Sequence, residues 1–277
     1  MPHRHRQPET GPFRADQLRE GDRYELANGH PLYCTPAGRD HAAPHLTGAA
    51  VIDSDPDVAW AGVDAGFSPD PATLHAPDIA VTAPPTDQET GGWIPGAPPL
   101  AVEYAGRGQD EAELRAKIAK LLAAGTRFVW VVRLRGPRRI EVHEAGQPVR
   151  RLGVGDVLEA PGILRNPVPV EALYDRAAGH RATLRNLLQR EGYDSLDAVR
   201  AEGVLEGQHA GERAARIADL RRLLARRFGS LPAWALERLA AGTPAQLEGW
   251  LDGILDAPSL EALLGAPPAP DAAPINR

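Results

Sequence analysis

A strand, a loop, a second strand, an amphipathic helix and a third strand follow one another between residues 76 and 133, and this order limits the fold more than any other feature. Ala76-Pro-Asp-Ile-Ala-Val81 and Leu100-Ala-Val-Glu-Tyr-Ala105 are short apolar runs. Between them, Thr82 to Pro99 is rich in Pro and Gly, and Gly106 and Gly108 bound the second run. Asp110 to Ala124 carries Leu114, Ile118, Leu121 and Leu122 on one stripe, with Asp110 as cap, Glu113 three residues on, and Gly125 as stop. Arg127 to Arg133 and Arg138 to His143 read as two strands joined through Gly136-Pro137. The expected fold is α/β, with a mixed central sheet flanked by helices.

Around this core, residues 1–20 read as a loose arm, and 21–175 as one domain. Asp22 to Cys34 reads as two short strands about the Asn28-Gly29 turn, a strong hairpin signal. Residues 35–75 are rich in Pro, Gly and Asp and give no assignable element. From about Glu171 the pattern turns helical, so 176–265 is expected to be a helical C-terminal region. Glycines at 203, 207 and 211 each weaken a helix by roughly 1 kcal/mol relative to Ala, which suggests a frayed connector there. Beyond it, helices are expected over Glu212 to Phe228, Pro232 to Ala241 and Thr243 to Leu255, then a short piece from Ser259. Residues 266–277 are disordered by composition.

Several function classes are set aside. No apolar run approaches the roughly eighteen residues of a membrane span, and no apolar segment follows the charged N-terminus. A soluble cytoplasmic protein is expected. One cysteine, Cys34, excludes an internal disulfide or a multi-cysteine zinc site. His41 and His45, in a Pro-rich stretch, read as solvated loop residues, and His75 as a loop residue near Asp78. No Walker loop or nucleophile elbow occurs.

Charge distribution says more than the net charge of −6. Between Arg39 and Arg107 there is no Lys or Arg, yet Asp40, Asp53, Asp55, Asp57, Asp64, Asp70, Asp78, Asp87, Glu89 and Glu103 fall there. Such a block is either solvated or holds metal. Arginines 127, 133, 135, 138, 139, 150 and 151 follow it. Carboxylates for an ion, followed by guanidinium groups for phosphate, suit a metal-assisted phosphodiesterase.

Of the 31 basic residues just two are lysines, Lys117 and Lys120, both on the helix after Glu103. At about 100° per residue, Lys117 lies roughly 85° from the centre of the apolar stripe and Lys120 roughly 145°. Lys117 therefore sits at the edge of the buried face, either snorkelling and paired with Glu113, or held over a site. Asp78 and Glu103, at the ends of two neighbouring strands, can converge on one hard cation.

These pieces together resemble the Uma-two putative restriction endonuclease family, of the PD-(D/E)XK superfamily. The likeness rests on Ala76-Pro-Asp-Ile-Ala-Val81, Pro99-Leu-Ala-Val-Glu-Tyr104, Lys117, Ala124-Gly125 and Phe128-Val-Trp-Val-Val132. It covers roughly residues 15 to 175. The superfamily's usual lysine position is Ala105 here; the family instead displaces its lysine onto the next helix, which resembles Lys117. Arg23-Tyr-Glu-Leu-Ala-Asn-Gly29 resembles the family's opening motif and brings in Glu25 as an accessory acid. Ala37 to Leu74, interrupted by Pro44, Pro56 and Pro69, departs from the family's long helix with a histidine near its start. Phe128 and Arg133 replace a family Glu and Asp.

The resemblance implies a restriction-endonuclease-like fold and a divalent-metal-dependent endonuclease acting on DNA. Asp78 and Glu103 would ligate Mg²⁺, with Mn²⁺ as substitute. Lys117 would orient or deprotonate the attacking water, and Glu25 would assist. The C-terminal helices resemble extensions on other proteins of the superfamily, and leave open a homodimer or an inactive module that binds through this region.

Overall fold

The computed structural model describes residues 11–84, 92–106 and 110–267. The expected disordered tail falls mostly outside them. The chain divides into two compact units, Met1–Ser195 and Leu196–Arg277.

In the first unit a 3-10 turn at Ala15–Gln17 precedes a hairpin of β1 (Tyr24–Ala27) and β2 (His30–Tyr33). Asn28 and Gly29 take φ values of 54° and 76°, as a two-residue type I′ turn requires. Helix α1 (Arg39–Asp53) follows, then strands β3 (Ala61–Val63), β4 (Phe67–Ser68), β5 (Ile79–Val81), β6 (Ile94–Pro95) and β7 (Leu100–Ala105). Helix α2 (Glu111–Ala123) leads into β8 (Phe128–Arg133), β9 (Arg139–His143) and β10 (Arg150–Leu152). Two short strands, β11 (Val157–Leu158) and β12 (Val168–Pro169), lead through a 3-10 turn to α3 (Arg176–Arg190).

Six strands form the central sheet in the order β10-β9-β8-β7-β5-β3. Its one parallel pair is β7 with β8, because α2 carries the chain back to the same edge. The others are antiparallel, so the sheet is mixed, as expected.

Both faces of the sheet are covered. Leu100, Val102 and Tyr104 pack with Trp130, Val132, Ile140 and with Val51 and Ile52 of α1. The alternating residues Ala101, Ala105, Val129 and Val131 meet Leu114, Ile118 and Leu121 of α2. Burial on two faces explains why β7 and β8 read as unbroken apolar runs. Glu103 has the same parity as Ala101 and Ala105 and is the one charge in β7, directed to the α2 face.

Helix α1 corrects the expectation of a broken stretch. Pro44 falls inside it without ending it. A proline there removes just the bond its own N–H would give to Asp40, while Gly38 accepts the N–H groups of His41 and Ala42. His45, Gly48, Val51 and Ile52 recur at helical spacing on the buried face. Arg190 of α3 donates to the carbonyls of Ser54, Asp55 and Val58 beyond the end of α1. Buried Asp55 accepts the N–H groups of Arg165 and Asn166. These bonds place α3 in the first unit, so the division falls after Ser195 rather than near residue 175.

The second unit comprises α4 (Leu196–Phe228), α5 (Ala233–Ala241), α6 (Pro244–Gly253) and α7 (Leu260–Leu264). Leu220, Leu224, Leu239, Leu247 and Leu264 form its core. Thr243 and Gln246 make a reciprocal capping box with Pro244 at the first turn. Residues 201–211 are continuous helix despite their three glycines. Among the described residues, no helix is long and apolar enough to cross a membrane.

Candidate active site

Asp78 immediately precedes Ile79, whose partner on β7 is Val102, the residue before Glu103. The pairing thus carries both acids to the same end of the sheet. There the Asp78 Oδ2 atom accepts the backbone N–H of Tyr104 at 2.5 Å. The hairpin is pinned to the segment before β5 by reciprocal backbone bonds between Leu26 and Leu74. With Leu26 buried against Leu74, the preceding residue, Glu25, faces the opposite way, towards α2.

Lys117 joins these elements. Its Nζ donates to Glu25 Oε1 at 2.9 Å and to the Ala76 carbonyl at 3.0 Å, and lies 2.8 Å from Glu103 Oε1. Three oxygens thus lie within 3.0 Å of the ammonium, two as hydrogen-bond acceptors and Glu103 as an ion-pair partner. The structure therefore brings Glu25, Glu103 and Lys117 into direct contact, with Asp78 alongside. Of the two readings open for Lys117, the snorkelling pair with Glu113 gives way to a side chain held over the acids, largely buried at 16% exposure.

His75 Nδ1 is 3.1 Å from Glu25 Oε2. It reaches Glu25 because backbone pairing with Phe67 extends the strand edge through residue 75. His75 is thus a buried neighbour of the site rather than a loop residue.

The second group of side chains comes from α1. His41 Nε2 is 3.4 Å from Asp78 Oδ1, and His45 Nε2 meets the Asp78 carbonyl oxygen. The two imidazole centroids are 5.8 Å apart, and the Tyr104 ring lies 5.8 Å from one and 5.5 Å from the other. Tyr104 itself donates through its hydroxyl to the Leu173 carbonyl at 2.8 Å. Gly48 leaves the space that the hydroxyl fills. Sequence reasoning missed both histidines; the helical spacing from His45 through Ile52 was the signal, overridden by the prolines. Cys34 is exposed and its thiol points to the Leu32 carbonyl, so it does not join them. Asp64, after β3 at φ 52°, is a further carboxylate in the same electrostatic field.

Two carboxyl groups, those of Glu25 and Glu103, thus meet one ammonium, with Asp78 and Asp64 within its electrostatic reach. Burial, opposed by Lys117 but reinforced by the charges of Asp78 and Glu25, pushes Glu103 up to about 8. For Glu25 burial acts upward, but Lys117 and His75 more than offset it and hold the group below its usual value. At Asp78 burial is likewise outweighed, by His41, Lys117 and the Tyr104 N–H. Burial disfavours the Lys117 ammonium, yet Glu103, Glu25 and Asp78 raise its pKa well above the ordinary value. Asp78 in turn raises His41, against the opposing pull of burial. The carboxylates of Glu25, Glu103 and Asp78, gathered at one strand end, are the hard oxygen donors that a divalent cation takes. The ligand atoms of His41, His45 and Asp78 lie within 4.8 Å of one another and form a further candidate set.

The acids line a cleft of about 2060 Å³ whose walls also carry Arg23, Arg39, Arg135 and Arg138. Small-molecule sites usually measure roughly 300–1,000 Å³, so this one suits a larger ligand.

Comparison with known proteins agrees with this architecture. A search of curated proteins finds no match. Among solved structures, the fold is similar to that of a putative nuclease belonging to DUF820 from Anabaena variabilis ATCC 29413. The TM-score is 0.51 at 17% identity, over 60% of this chain and 99% of that one. The family model for Uma2, described as putative restriction endonuclease, matches residues 13–168, which hold Glu25, Asp78, Glu103 and Lys117. The chain is a member of the Uma2 family, with a helical unit following its nuclease-fold core.

Proposed function

We propose that the protein is a divalent-metal-dependent endonuclease that hydrolyses DNA phosphodiester bonds. The observation that carries this reading is the convergence of Asp78, Glu103 and Glu25 around the Lys117 ammonium at one end of the sheet. Asp78 and Glu103 would hold Mg²⁺, for which Mn²⁺ can substitute. When bound, such an ion supplies Lewis acidity towards the phosphodiester and lowers the pKa of water.

The chain's own groups supply the remainder. Lys117, kept charged by its oxygen neighbours, presents positive charge beside the reacting phosphate and orients the attacking water; its raised pKa favours this role over that of a base. Glu103, pushed up to about 8 in the metal-free site, would give up its proton on binding the cation, which couples metal affinity to pH. Glu25, tied to both His75 and Lys117, assists by fixing the Lys117 ammonium. Arg23, Arg39, Arg135 and Arg138 along the cleft would contact backbone phosphates, which supports a polymeric anion as substrate.

Plasmid nicking by wild type and by Asp78→Ala, each with Mg²⁺ and with excess chelator, tests the reading. Nicking is expected from wild type with Mg²⁺ alone. Equal nicking by wild type and Asp78→Ala, or nicking that survives chelation, contradicts it.

A further inference from the structure

We infer that His41, His45 and Asp78 form a mixed nitrogen and oxygen site for a first-row transition ion of the Co²⁺ and Zn²⁺ class, on the α1 side of the Asp78 carboxylate. The inference deepens the proposed function by naming further ligands and the class of ion. It rests on that reading for the ion's use in hydrolysis but not for its binding.

The two Asp78 carboxylate oxygens have different surroundings. Oδ2 is taken by the Tyr104 N–H, while Oδ1 faces His41 Nε2 at 3.4 Å. That separation is longer than the roughly 2.7–3.2 Å of a good hydrogen bond. It is close to the edge of a tetrahedron whose ligands lie about 2.1 Å from a central ion. Lys117 engages Glu103, Glu25 and the Ala76 carbonyl, whereas the side of Asp78 that carries Oδ1 faces the imidazoles of α1.

The imidazoles are held for the purpose. His41 and His45 are one helical turn apart and present their rings on the same side of α1. Tyr104 lies against both rings and is anchored by Leu173, and the contact of His45 with the Asp78 carbonyl keeps that ring at the strand end. Two imidazoles and one carboxylate suit ions of intermediate softness, whereas Mg²⁺ prefers oxygen donors in a near-ideal octahedron. Three protein ligands also leave a position for water or a phosphate oxygen, the arrangement of ion sites that take part in reactions.

The test is titration of the chelator-treated full chain with CoCl₂ and, separately, MgCl₂ by calorimetry, with proton NMR of the Co²⁺-loaded protein. Co²⁺ is expected to bind one equivalent at least about tenfold tighter than Mg²⁺. The spectrum should show hyperfine-shifted imidazole N–H signals that vanish in D₂O. His45 is buried against Tyr104 and its substitution risks the fold, so the variant is His41→Gln, at the half-exposed start of α1. It is expected to weaken Co²⁺ binding by about tenfold or more and to leave Mg²⁺ binding near the wild-type value. Absence of shifted imidazole signals, or unchanged Co²⁺ affinity in His41→Gln, overturns the inference. DNA cleavage that persists in His41→Gln with Mg²⁺ bound through the acids would leave the hydrolase reading standing without it. Co²⁺ held by the imidazoles in a protein that cuts no DNA would do the reverse.

Discussion

Lys117 Nζ stands 2.8 Å from Glu103 Oε1, across the interface between α2 and β7. The same ammonium meets Glu25 at 2.9 Å, so one cation joins the hairpin, the sheet and the helix. Removing it leaves two buried carboxyl groups without their partner, and breaking a buried pair from one side costs about 3–5 kcal/mol. Lys117→Met is therefore expected to lower unfolding free energy by about that amount in chelator-treated protein, measured by urea denaturation, and to abolish cleavage. Lys117→Arg should not restore activity, because a planar guanidinium cannot meet three oxygens arranged around a compact ammonium. Full activity in Lys117→Arg would refute this.

Glu103 gives the site a pH signature. Its pKa is raised from the ordinary 4.5 to about 8, chiefly by burial. The folded state therefore binds the proton more tightly than the unfolded state. This contribution to stability is fully present below about pH 4.5 and is lost as pH rises towards about 8. Metal-free protein is expected to lose thermal stability across that window, and Glu103→Gln to flatten the slope. A divalent cation bound at Glu103 should release a proton below pH 8, so its affinity should climb with pH, as calorimetry in buffers of different ionisation enthalpy would show.

Gly48 fixes how closely α1 approaches β7. A Cβ there would lie 1.9 Å from the Tyr104 hydroxyl oxygen, inside contact distance. In an exposed helix Gly→Ala stabilises by roughly 1 kcal/mol, but overpacking of this kind costs about 1–3 kcal/mol. Gly48→Ala is expected to lower the melting temperature and to weaken metal binding by displacing His41 and His45. A melting temperature equal to or above wild type would show that the helix adjusts freely.

Much of this site was legible in the sequence because its residues sit where local pattern is strong. Asp78 lies just before an apolar strand, Glu103 on another and Lys117 on a capped helix, and Asn28-Gly29 announces the hairpin that delivers Glu25. The histidines were hidden for a physical reason. Pro44 and the prolines after α1 suggest a loop, yet a single lost backbone bond early in the helix is outweighed by burial of Val51 and Ile52. His75 and Asp64 reach the site through pairing of Phe67 with His75 and the left-handed turn after β3, which depend on distant strands rather than on neighbours in sequence. The place of α3 in the first unit depends on Arg190 and Asp55, whose partners lie more than a hundred residues away.

The arginines of the cleft give a separate expectation. Arg135→Ala combined with Arg138→Ala removes two wall charges without touching the acids, so DNA affinity should fall with a reduced dependence on salt, by a slope change of about 2. Binding measured in Ca²⁺ over a range of salt concentrations checks this. An unchanged slope would place the nucleic acid elsewhere.

Asp78, Glu103 and Lys117 are proposed to act together on a phosphodiester. Single-turnover cleavage of a DNA duplex with Mg²⁺, by wild type and by Glu103→Gln confirmed as folded, tests this most directly. Glu103→Gln keeps the size of the side chain and removes its charge; the rate is predicted to fall by about a hundredfold or more. A rate within twofold of wild type would rule out that joint action.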